Sequence, residues 1–395
     1  MARFMMRLLM ILIALSTTTA HAEMILLGTG QISGTATDDS GLSEKFETGD
    51  SQNLLGGISA IEYTGKDNLY FALPDRGPDD GAVPWKCRVQ TIRIDIHPKQ
   101  APAVVPSLVS TTMLTDETER NFIGKSTAHS PSSKFAERFD PEGIRLAQDG
   151  TFYISDEYGP QLIRFSLEGK AVKRISVPAH FLITHPGSSK TEENGANQIG
   201  RSANRGMEGL AISKDGKIIV GLMQSPLLQD SARTAEGKPT GLNCRLLVIN
   251  LETGTREELL YHLEHPKNKL NEILAINDHD FLVIERDGNA GEEANFKKIF
   301  KIDLSRATDI QKIKSLPPEN IPTGVLPVQK EVFIDLLNPA FSLAGKKMPE
   351  KIEGLTFGPV LPDGKQTLIV ATDNDFEADS PSLFYAFSFD QSDLN

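Results

Sequence analysis

The chain has 395 residues, of which 39% are hydrophobic, and its formal net charge is −12 at pH 7. So acidic a chain is repelled by nucleic acid and by anionic membrane surfaces, which excludes both as natural partners. The same charge favours calcium and other hard cations, which bind carboxylate oxygens.

The first segment of the chain has the pattern of a secretory signal. Arg3 and Arg7 give a positive start, residues 8–15 form a short apolar run, and Ala20-His21-Ala22 is a small-x-small cleavage site. The apolar run is too short to span a bilayer. We therefore predict a signal peptide over residues 1–22, no membrane anchor after its cleavage, and a bacterial protein that is periplasmic or secreted.

The rest of the chain repeats a pattern in which Glu-Gly-aliphatic is followed, one strand later, by acidic or polar residues. The three clear copies are Glu142-Gly143-Ile144 with Asp156-Glu157, Glu208-Gly209-Leu210 with Gln224, and Glu353-Gly354-Leu355 with Asp373-Asn374-Asp375. Two weaker copies are Gly57-Ile58 with Asp75-Arg76, and Glu272-Ile273 with Glu285-Arg286. Such repetition indicates a stack or a ring of similar units.

Each repeat has the pattern of a short β-meander. In the second, third and fifth repeats, Asp149-Gly150, Asp215-Gly216 and Asp363-Gly364 form turns between alternating strands. We predict an all-β fold, a β-propeller of four-stranded antiparallel blades that forms one domain over residues 23–395. The spacing of the repeats exceeds one blade, so six blades are favoured, and five or seven stay open.

Several segments outside the repeats also carry expectations. Residues 24–27 are expected to close the ring beside the last blade. Residues 331–336 predict a further strand, and the polar insert 188–205 predicts a surface loop. Cys87 and Cys244 could form a disulfide in an oxidising compartment, and the sequence leaves open whether they pair.

In a propeller, equivalent positions of all blades face the axis at one end, so the acidic residues of the repeats should converge there. One predicted ring holds Glu142, Glu208, Glu272 and Glu353, and the other holds Asp75, Asp156, Glu157, Glu285, Asp373 and Asp375. Crowded carboxylates repel one another unless cations join them, and oxygen ligands in number suit calcium. All of these residues except Glu157 are candidate calcium ligands. Glu142, Glu208, Asp156 and Glu157 are candidate catalytic groups.

Two arginines, Arg76 and Arg286, stand directly beside acidic members of the second ring. An arginine can bind a phosphate or carboxylate through two parallel hydrogen bonds, or it can neutralise neighbouring acids. We treat both as candidate catalytic residues. The repeated glutamates also have a structural interpretation, in which each accepts hydrogen bonds from the next blade while its glycine supplies a special backbone shape.

At these residues the chain resembles the phytase-like family, the domain family described as having an esterase-like activity of phytase. The matching stretches include residues 140–160 (DPEGIRLAQDGTFYISDEYGP), 204–227 (NRGMEGLAISKDGKIIVGLMQSPL) and 351–376. The resemblance implies that Glu142, Glu208, Glu272 and Glu353 are the repeated glutamates of the family. It also implies a relation to calcium-dependent β-propeller phytases, which hydrolyse phosphate monoesters at an acidic cleft. The Asp-Asp-Pro-Ala motif of those phytases does not occur in the chain.

Two functions follow as hypotheses. The first is a monomeric, metal-dependent hydrolase of phosphoric monoesters that acts on a small anionic substrate, with a sugar-lactone hydrolase as a variant. No G-x-S-x-G elbow is present, so a serine nucleophile is not expected. The second is a non-catalytic ligand-binding propeller whose glutamates only stabilise the ring.

Overall fold

The computed structural model describes residues 24–127 and 130–394. The predicted signal peptide, residues 1–22, lies outside the described residues. Within these two ranges, no helix has the length and apolar character needed to cross a membrane.

Five four-stranded antiparallel sheets form the blades of a propeller in the described part of the chain. Strand β1 (Ile25–Ile32) belongs to the last blade. Blade 1 contains β2 (Ile58–Tyr63), β3 (Leu69–Pro74), β4 (Arg88–Ile96) and β5 (Val104–Met113). A parallel pair, β6 (Asn121–Ile123) and β7 (Phe135–Arg138), leads to blade 2. Blade 2 contains β8 (Pro141–Leu146), β9 (Phe152–Asp156), β10 (Gln161–Phe165) and β11 (Ala171–Ile175).

The remaining blades follow the same order from the axis outwards. Blade 3 contains β12 (Met207–Ile212), β13 (Ile218–Met223), β16 (Asn243–Asn250) and β17 (Arg256–His262), with the small hairpin β14 (Ala232–Arg233) and β15 (Pro239–Thr240) inserted. Blade 4 contains β18 (Lys269–Ala275), β19 (Asp280–Arg286), β20 (Lys297–Asp303) and β21 (Gln329–Asp335). Blade 5 contains β22 (Ile352–Phe357), β23 (Gln366–Thr372), β24 (Ser382–Phe389) and β1.

Helical structure is sparse, as the sequence predicts. The described residues contain the single turn α1 (Pro78–Gly81) and the short helix α2 (Lys190–Ala196). Five 3-10 turns lie at Ala179–Phe181, Leu228–Asp230, Gly291–Glu293, Pro339–Phe341 and Gln391–Leu394. Because α2 lies inside the polar insert 188–205, that segment is partly helical and not wholly a loop.

The predicted β-propeller is confirmed, and its blade count is five, one of the numbers left open, rather than the favoured six. The innermost strands contact one another around the ring, with β2 touching both β8 and β22. The extra length lies in loops. The loop between β20 and β21 packs Ile310 and Leu316 against Leu260 of blade 3, and the predicted strand at 331–336 is part of β21.

The chain closes the ring with its first strand. Strand β1 pairs antiparallel with β24, from Ile25 opposite Ser388 to Ile32 opposite Ser382. This pairing confirms the expected closure by residues 24–27 and removes one exposed edge of the last sheet.

The five largest hydrophobic clusters of the described residues each lie between two neighbouring blades. Leu246 of blade 3, for example, shares a cluster with Ile273 and Phe300 of blade 4. The other four join blades 4 and 5, 1 and 2, 5 and 1, and 2 and 3. Cys87 and Cys244 are buried free thiols in two different clusters, so they do not pair. Since every blade is buried on both faces, the innermost strands are held firmly around the axis.

The glycines of the repeats let neighbouring innermost strands approach each other. A Cβ on Gly143 would lie 2.8 Å from Leu210 N of blade 3, and one on Gly209 would lie 2.8 Å from Asn271 O of blade 4. Neither glycine has a positive φ. Close approach, and not a special backbone shape, therefore explains glycine at these two positions.

Candidate functional site

A first ring of side chains arises from an irregularity shared by the innermost strands. In blade 3, Met207 pairs with Met223 and Gly209 with Leu222, so Glu208 is skipped and turns towards the axis. One residue is skipped at the same point in blades 1, 2 and 5, and blade 4 skips both Asn271 and Glu272 there. The first ring consists of Ser59, Glu142, Glu208, Asn271 and Glu353.

A second ring lies at the end of the second strand of each blade and consists of Asp75, Glu157, Gln224, Arg286 and Asp373. Each of these residues stands opposite the residue two positions before the first-ring member of its blade, as shown by Glu157 N donating to Asp140 O and by Lys269 pairing with Arg286. We call the five cross-strand pairs the mouth pairs. They are Gly57–Asp75, Asp140–Glu157, Gly206–Gln224, Lys269–Arg286 and Lys351–Asp373.

Both rings border one small polar cavity on the axis. Its lining includes all members of both rings except Asn271 and Asp373, together with Asn204, Lys269, Lys351 and Arg76. Carboxylate oxygens of Glu142, Glu208 and Glu353 lie within 4.8 Å of one another. Oxygens of Asp75, Asp140 and Glu142 meet the same limit. Two groups of three carboxylates thus share Glu142, an arrangement that suits oxygen-loving cations.

Amide and arginine donors hold one side of the first ring. Gln224 Nε2 donates to Glu208 Oε1 at 2.6 Å, and Asn271 Nδ2 donates to Glu208 Oε1 and to Glu353 Oε1, both at 2.9 Å. Glu353 also accepts from Arg286 Nη2 at 2.5 Å and from Ser59 Oγ at 3.2 Å. These bonds join blades 1, 3, 4 and 5 across the axis.

Other oxygens of the site lack a hydrogen-bond donor. Glu208 Oε2, Gln224 Oε1 and Asn271 Oδ1 are buried without a hydrogen bond, and Glu157 Oε2 has only the ion pair with Arg76 at 3.5 Å. Within the described residues, the carboxylate of Glu142 makes no hydrogen bond and no ion pair, and the residue is 6% exposed. Unpaired buried polar atoms are costly. Since all of these atoms are acceptors, what they lack is a donor or a cation.

The electrostatics agree with the geometry. Burial, together with the charges of neighbouring carboxylates, holds the pKa of Glu142 and of Glu208 well above the usual range. The pKa of Asp75 is raised in the same way, first by burial and then by Asp373. Burial and Asp140 raise the pKa of Glu157 to about 7. A cation in the cavity would relieve this repulsion.

The mouth pairs give the site two poles. Blade 2 presents two acids, Asp140 and Glu157, whereas blade 4 presents two bases, Lys269 and Arg286. In blade 5 the pair is complementary, with Lys351 Nζ 2.6 Å from Asp373 Oδ2. Like charges directly opposite each other destabilise a sheet, so the acidic and basic pairs need an explanation beyond folding.

Arg76 neutralises the acidic pole. Its Nη1 lies 2.6 Å from Asp140 Oδ2 and 3.5 Å from Glu157 Oε2, and its Nη2 bonds Asp80. The Nε of both arginines has no partner, but Arg286 bonds one carboxylate, Glu353, and one carbonyl oxygen, that of Asp287, whereas Arg76 contacts three carboxylates. Of the two predicted arginines, Arg286 is therefore the one better placed to meet a ligand.

Glu272 does not reach the cavity. The aligned strands put Asn271 at the place of Glu208 and Glu272 at the place of Gly209. The carboxylate of Glu272 instead pairs with Arg145 at 3.0 Å. Arg145 lies across the axis and donates to carbonyl oxygens of Ile61, Ile144, Ile273 and Leu355, in four blades. It closes the axis below the site.

Three further predicted residues lie outside the cavity. Asp156 accepts hydrogen bonds from the backbone N–H groups of residues 140, 158 and 159, and from Gln161. Glu285, at the same position in blade 4, accepts from Tyr261, Asn268, Lys330 and the N–H of residue 264. Both precede the second ring by one residue and point the other way. Asp375 is half-exposed and pairs with Lys351.

Sequence reasoning did not assign seven residues to the site, namely Ser59, Asp140, Asn204, Gln224, Lys269, Asn271 and Lys351. Four of them, Asp140, Lys269, Asn271 and Lys351, could have been found by aligning the aliphatic residue of each repeat, because Leu210, Leu355 and Ile273 are equivalent in the structure. That alignment places Asn271 beside Glu208 and puts Lys269 and Lys351 two residues before the first ring.

Strained backbone surrounds the mouth of the cavity. Asp79, Asp80, Asn204, Asp375 and Phe376 all have φ between 50° and 59°. Non-glycine residues in this left-handed region are uncommon and cluster at functional sites. Their position supports the assignment of this end of the axis as the functional one.

Comparison with known proteins places the chain in a family. The model of the phytase-like family, described as esterase-like activity of phytase, matches residues 53–376, so the chain belongs to this family. An uncharacterized secreted protein of Arthroderma benhamiae is 26% identical over 391 residues, which cover 80% of this chain and 73% of that protein. A streptogramin B lyase structure aligns with a TM-score of 0.36 and 12% identity, covering 85% of this chain and 94% of the lyase.

Proposed function

We propose that the protein is an exported, calcium-dependent hydrolase of phosphoric monoesters. The observation that carries the proposal is the set of buried oxygen atoms without a hydrogen-bond donor, on Glu208 and Gln224, which line the cavity together with Arg286, and on the neighbouring Asn271. Acceptors in excess suit a cation, and the basic pole suits an anionic group beside it. Family membership and the secreted relative agree with this assignment.

The residues present fit a calcium ion. Glu142, Glu208 and Glu353 would hold it, with Asp75 and Asp140 on the other side of Glu142. When bound, the ion would supply charge neutralisation and a more acidic water. Arg286 would orient a phosphoryl oxygen, and Glu157, with a pKa of about 7, can accept a proton at neutral pH.

The test is phosphate release from an aryl phosphate by metal-free protein, with added calcium or with a chelator. Glu142→Gln should abolish calcium-dependent turnover while the protein stays folded. Asp390→Asn, which removes an exposed acid outside the cavity, is the control and should retain turnover. Calcium-independent release, or no release by folded wild-type protein, would reject the proposal.

A non-catalytic role has one observation in its favour. Glu353 accepts hydrogen bonds from Ser59 of blade 1 and from Asn271 and Arg286 of blade 4, so this glutamate links blades as a structural latch would. If Glu142→Gln and Glu353→Gln both merely lower the melting temperature, without changing calcium binding, the latch explains the ring.

A further inference from the structure

The basic pole of the site contains a lysine without a partner. Lys269 lines the axial cavity, and within the described ranges its ammonium makes no hydrogen bond and no ion pair. Its pKa is lowered by burial and by the nearby Arg286 and Arg205. A cation left unpaired in a partly buried cavity is costly and is rarely kept for folding alone.

The carboxylates of Glu353 and Glu208 act on Lys269 only through space, and neither forms a hydrogen bond or ion pair with it in the described residues. Glu208 is bonded by Gln224 and Asn271, and Glu353 is bonded by Asn271, Ser59 and Arg286. In blade 5, by contrast, the equivalent Lys351 bonds its cross-strand partner Asp373. An ion pair can therefore form at this mouth pair, but in blade 4 the residue opposite Lys269 is Arg286 and no ion pair forms between them.

The cross-strand partner of Lys269 makes the repulsion worse. Lys269 and Arg286 are directly opposite on β18 and β19, and both line the same cavity. Opposed like charges on one face of a sheet are unfavourable unless an anion lies between them. Two donors that converge from neighbouring strands form a natural clamp for an anionic oxygen.

We propose that Lys269 is a substrate-positioning residue that binds the anionic oxygen of the ligand together with Arg286. The proposal rests on the proposed function for the identity of the anion, a phosphate. It places the phosphate at blade 4, across the cavity from the acidic pair of blade 2. Lys269 contributes affinity and orientation, whereas the carboxylates around Glu142, on blades 1, 2, 3 and 5, serve the cation.

The test is orthophosphate binding, measured by titration calorimetry at saturating calcium. Lys269→Met should weaken binding about 10-fold to 100-fold, the range of one charge-assisted hydrogen bond. Lys269→Arg keeps the charge and should stay within about threefold of wild type. Lys214→Met removes the same charge at the opposite end of the axis, where Lys214 lies beside Arg145, and should change nothing. Lys269→Gln serves as a second variant if Lys269→Met does not fold.

Equal phosphate affinity in wild type and in folded Lys269→Met or Lys269→Gln would overturn the proposal, as would absence of phosphate binding by wild type. The outcomes also separate this proposal from the hydrolase. Phosphate binding that depends on Lys269, without turnover of an aryl phosphate, supports the clamp and rejects the hydrolase. Turnover of an aryl phosphate by Lys269→Met with an unchanged KM supports the hydrolase and rejects the clamp.

Discussion

Asp140 and Glu157 lie opposite each other at the mouth of blade 2, and one guanidinium nitrogen of Arg76 lies between their carboxyl groups. All three side chains are buried. Because Arg76 compensates their charges, the two acids can lie side by side, and the acidic pair at the mouth of blade 2 depends on Arg76.

Replacing Arg76 should destabilise the protein. Arg76→Met leaves buried acids uncompensated, a change that typically costs about 3–5 kcal/mol. Chemical denaturation should show this loss near pH 8 and a smaller one near pH 5, where carboxyl groups can take up protons. Arg306→Met, at an exposed arginine, is the control. An unchanged free energy of unfolding in Arg76→Met would show that Arg76 does not hold the acidic pair.

Two glutamates of the same ring should respond differently to neutralisation. Glu142 accepts no hydrogen bond from the described residues and is repelled by its neighbours, so Glu142→Gln should keep or raise the melting temperature in chelator. Glu353 accepts three hydrogen bonds, and Glu353→Gln should lower the melting temperature. Disrupting these buried hydrogen bonds should reduce the free energy of unfolding by about 1–3 kcal/mol. Calcium should raise the melting temperature of wild type and not of Glu142→Gln. Equal destabilisation by both changes would contradict the distinction.

The metal-free protein should become less stable as pH rises from about 5 to about 8. Burial raises the pKa of Glu157 from 4.5 to about 7 and also raises that of Glu142 and Glu208. These groups stay protonated in the fold while they ionise in the unfolded chain, so stability is fully present below about pH 4.5 and is lost as pH rises through about 7. For Glu157 alone the loss is up to about 3 kcal/mol.

Denaturation in chelator at three pH values measures this trend. Added calcium should restore stability near pH 8 and have little effect near pH 5, because protons and cations compete for the same oxygens. Equal stability of the metal-free protein at both ends of the range would contradict the prediction.

Substitutions at Asp156 and Glu157 should distinguish an acid that stabilises the fold from an acid that acts in the site. Asp156→Asn loses acceptor capacity for backbone N–H groups and should cost about 1–3 kcal/mol with calcium affinity retained. Glu157→Gln should leave the melting temperature nearly unchanged and reduce turnover. Calorimetry with calcium and an assay of phosphate release give both readouts. Loss of calcium binding in Asp156→Asn would show that this acid belongs to the site.

The fold was largely predictable, because Glu-Gly-aliphatic repeats mark the innermost strands and alternating runs mark the others. The blade count was not predictable, since long segments between β5 and β8 and between β20 and β21 interrupt the repeats and carry no periodic signal. A strand can lie at any distance along the chain from its neighbour in the sheet.

The site was predictable only to within one residue. Side chains alternate along a strand, so the step from Asp156 to Glu157, or from Glu285 to Arg286, exchanges a backbone acceptor for a cavity residue. In blade 4 the glutamate of the repeat, Glu272, stands where the other repeats have glycine, and Asn271 occupies the position that faces the axis. No composition rule distinguishes such neighbours, whereas the hydrogen-bond register does.

The first described strand, β1, completes the last blade. Residues 25–32 find their partner only when residues 382–389 have been synthesised, after the other four blades. Until then the ring is open and two blade faces lack a neighbour. Closure of the ring therefore waits for β24, and the axial cavity gains its full set of walls only at that moment.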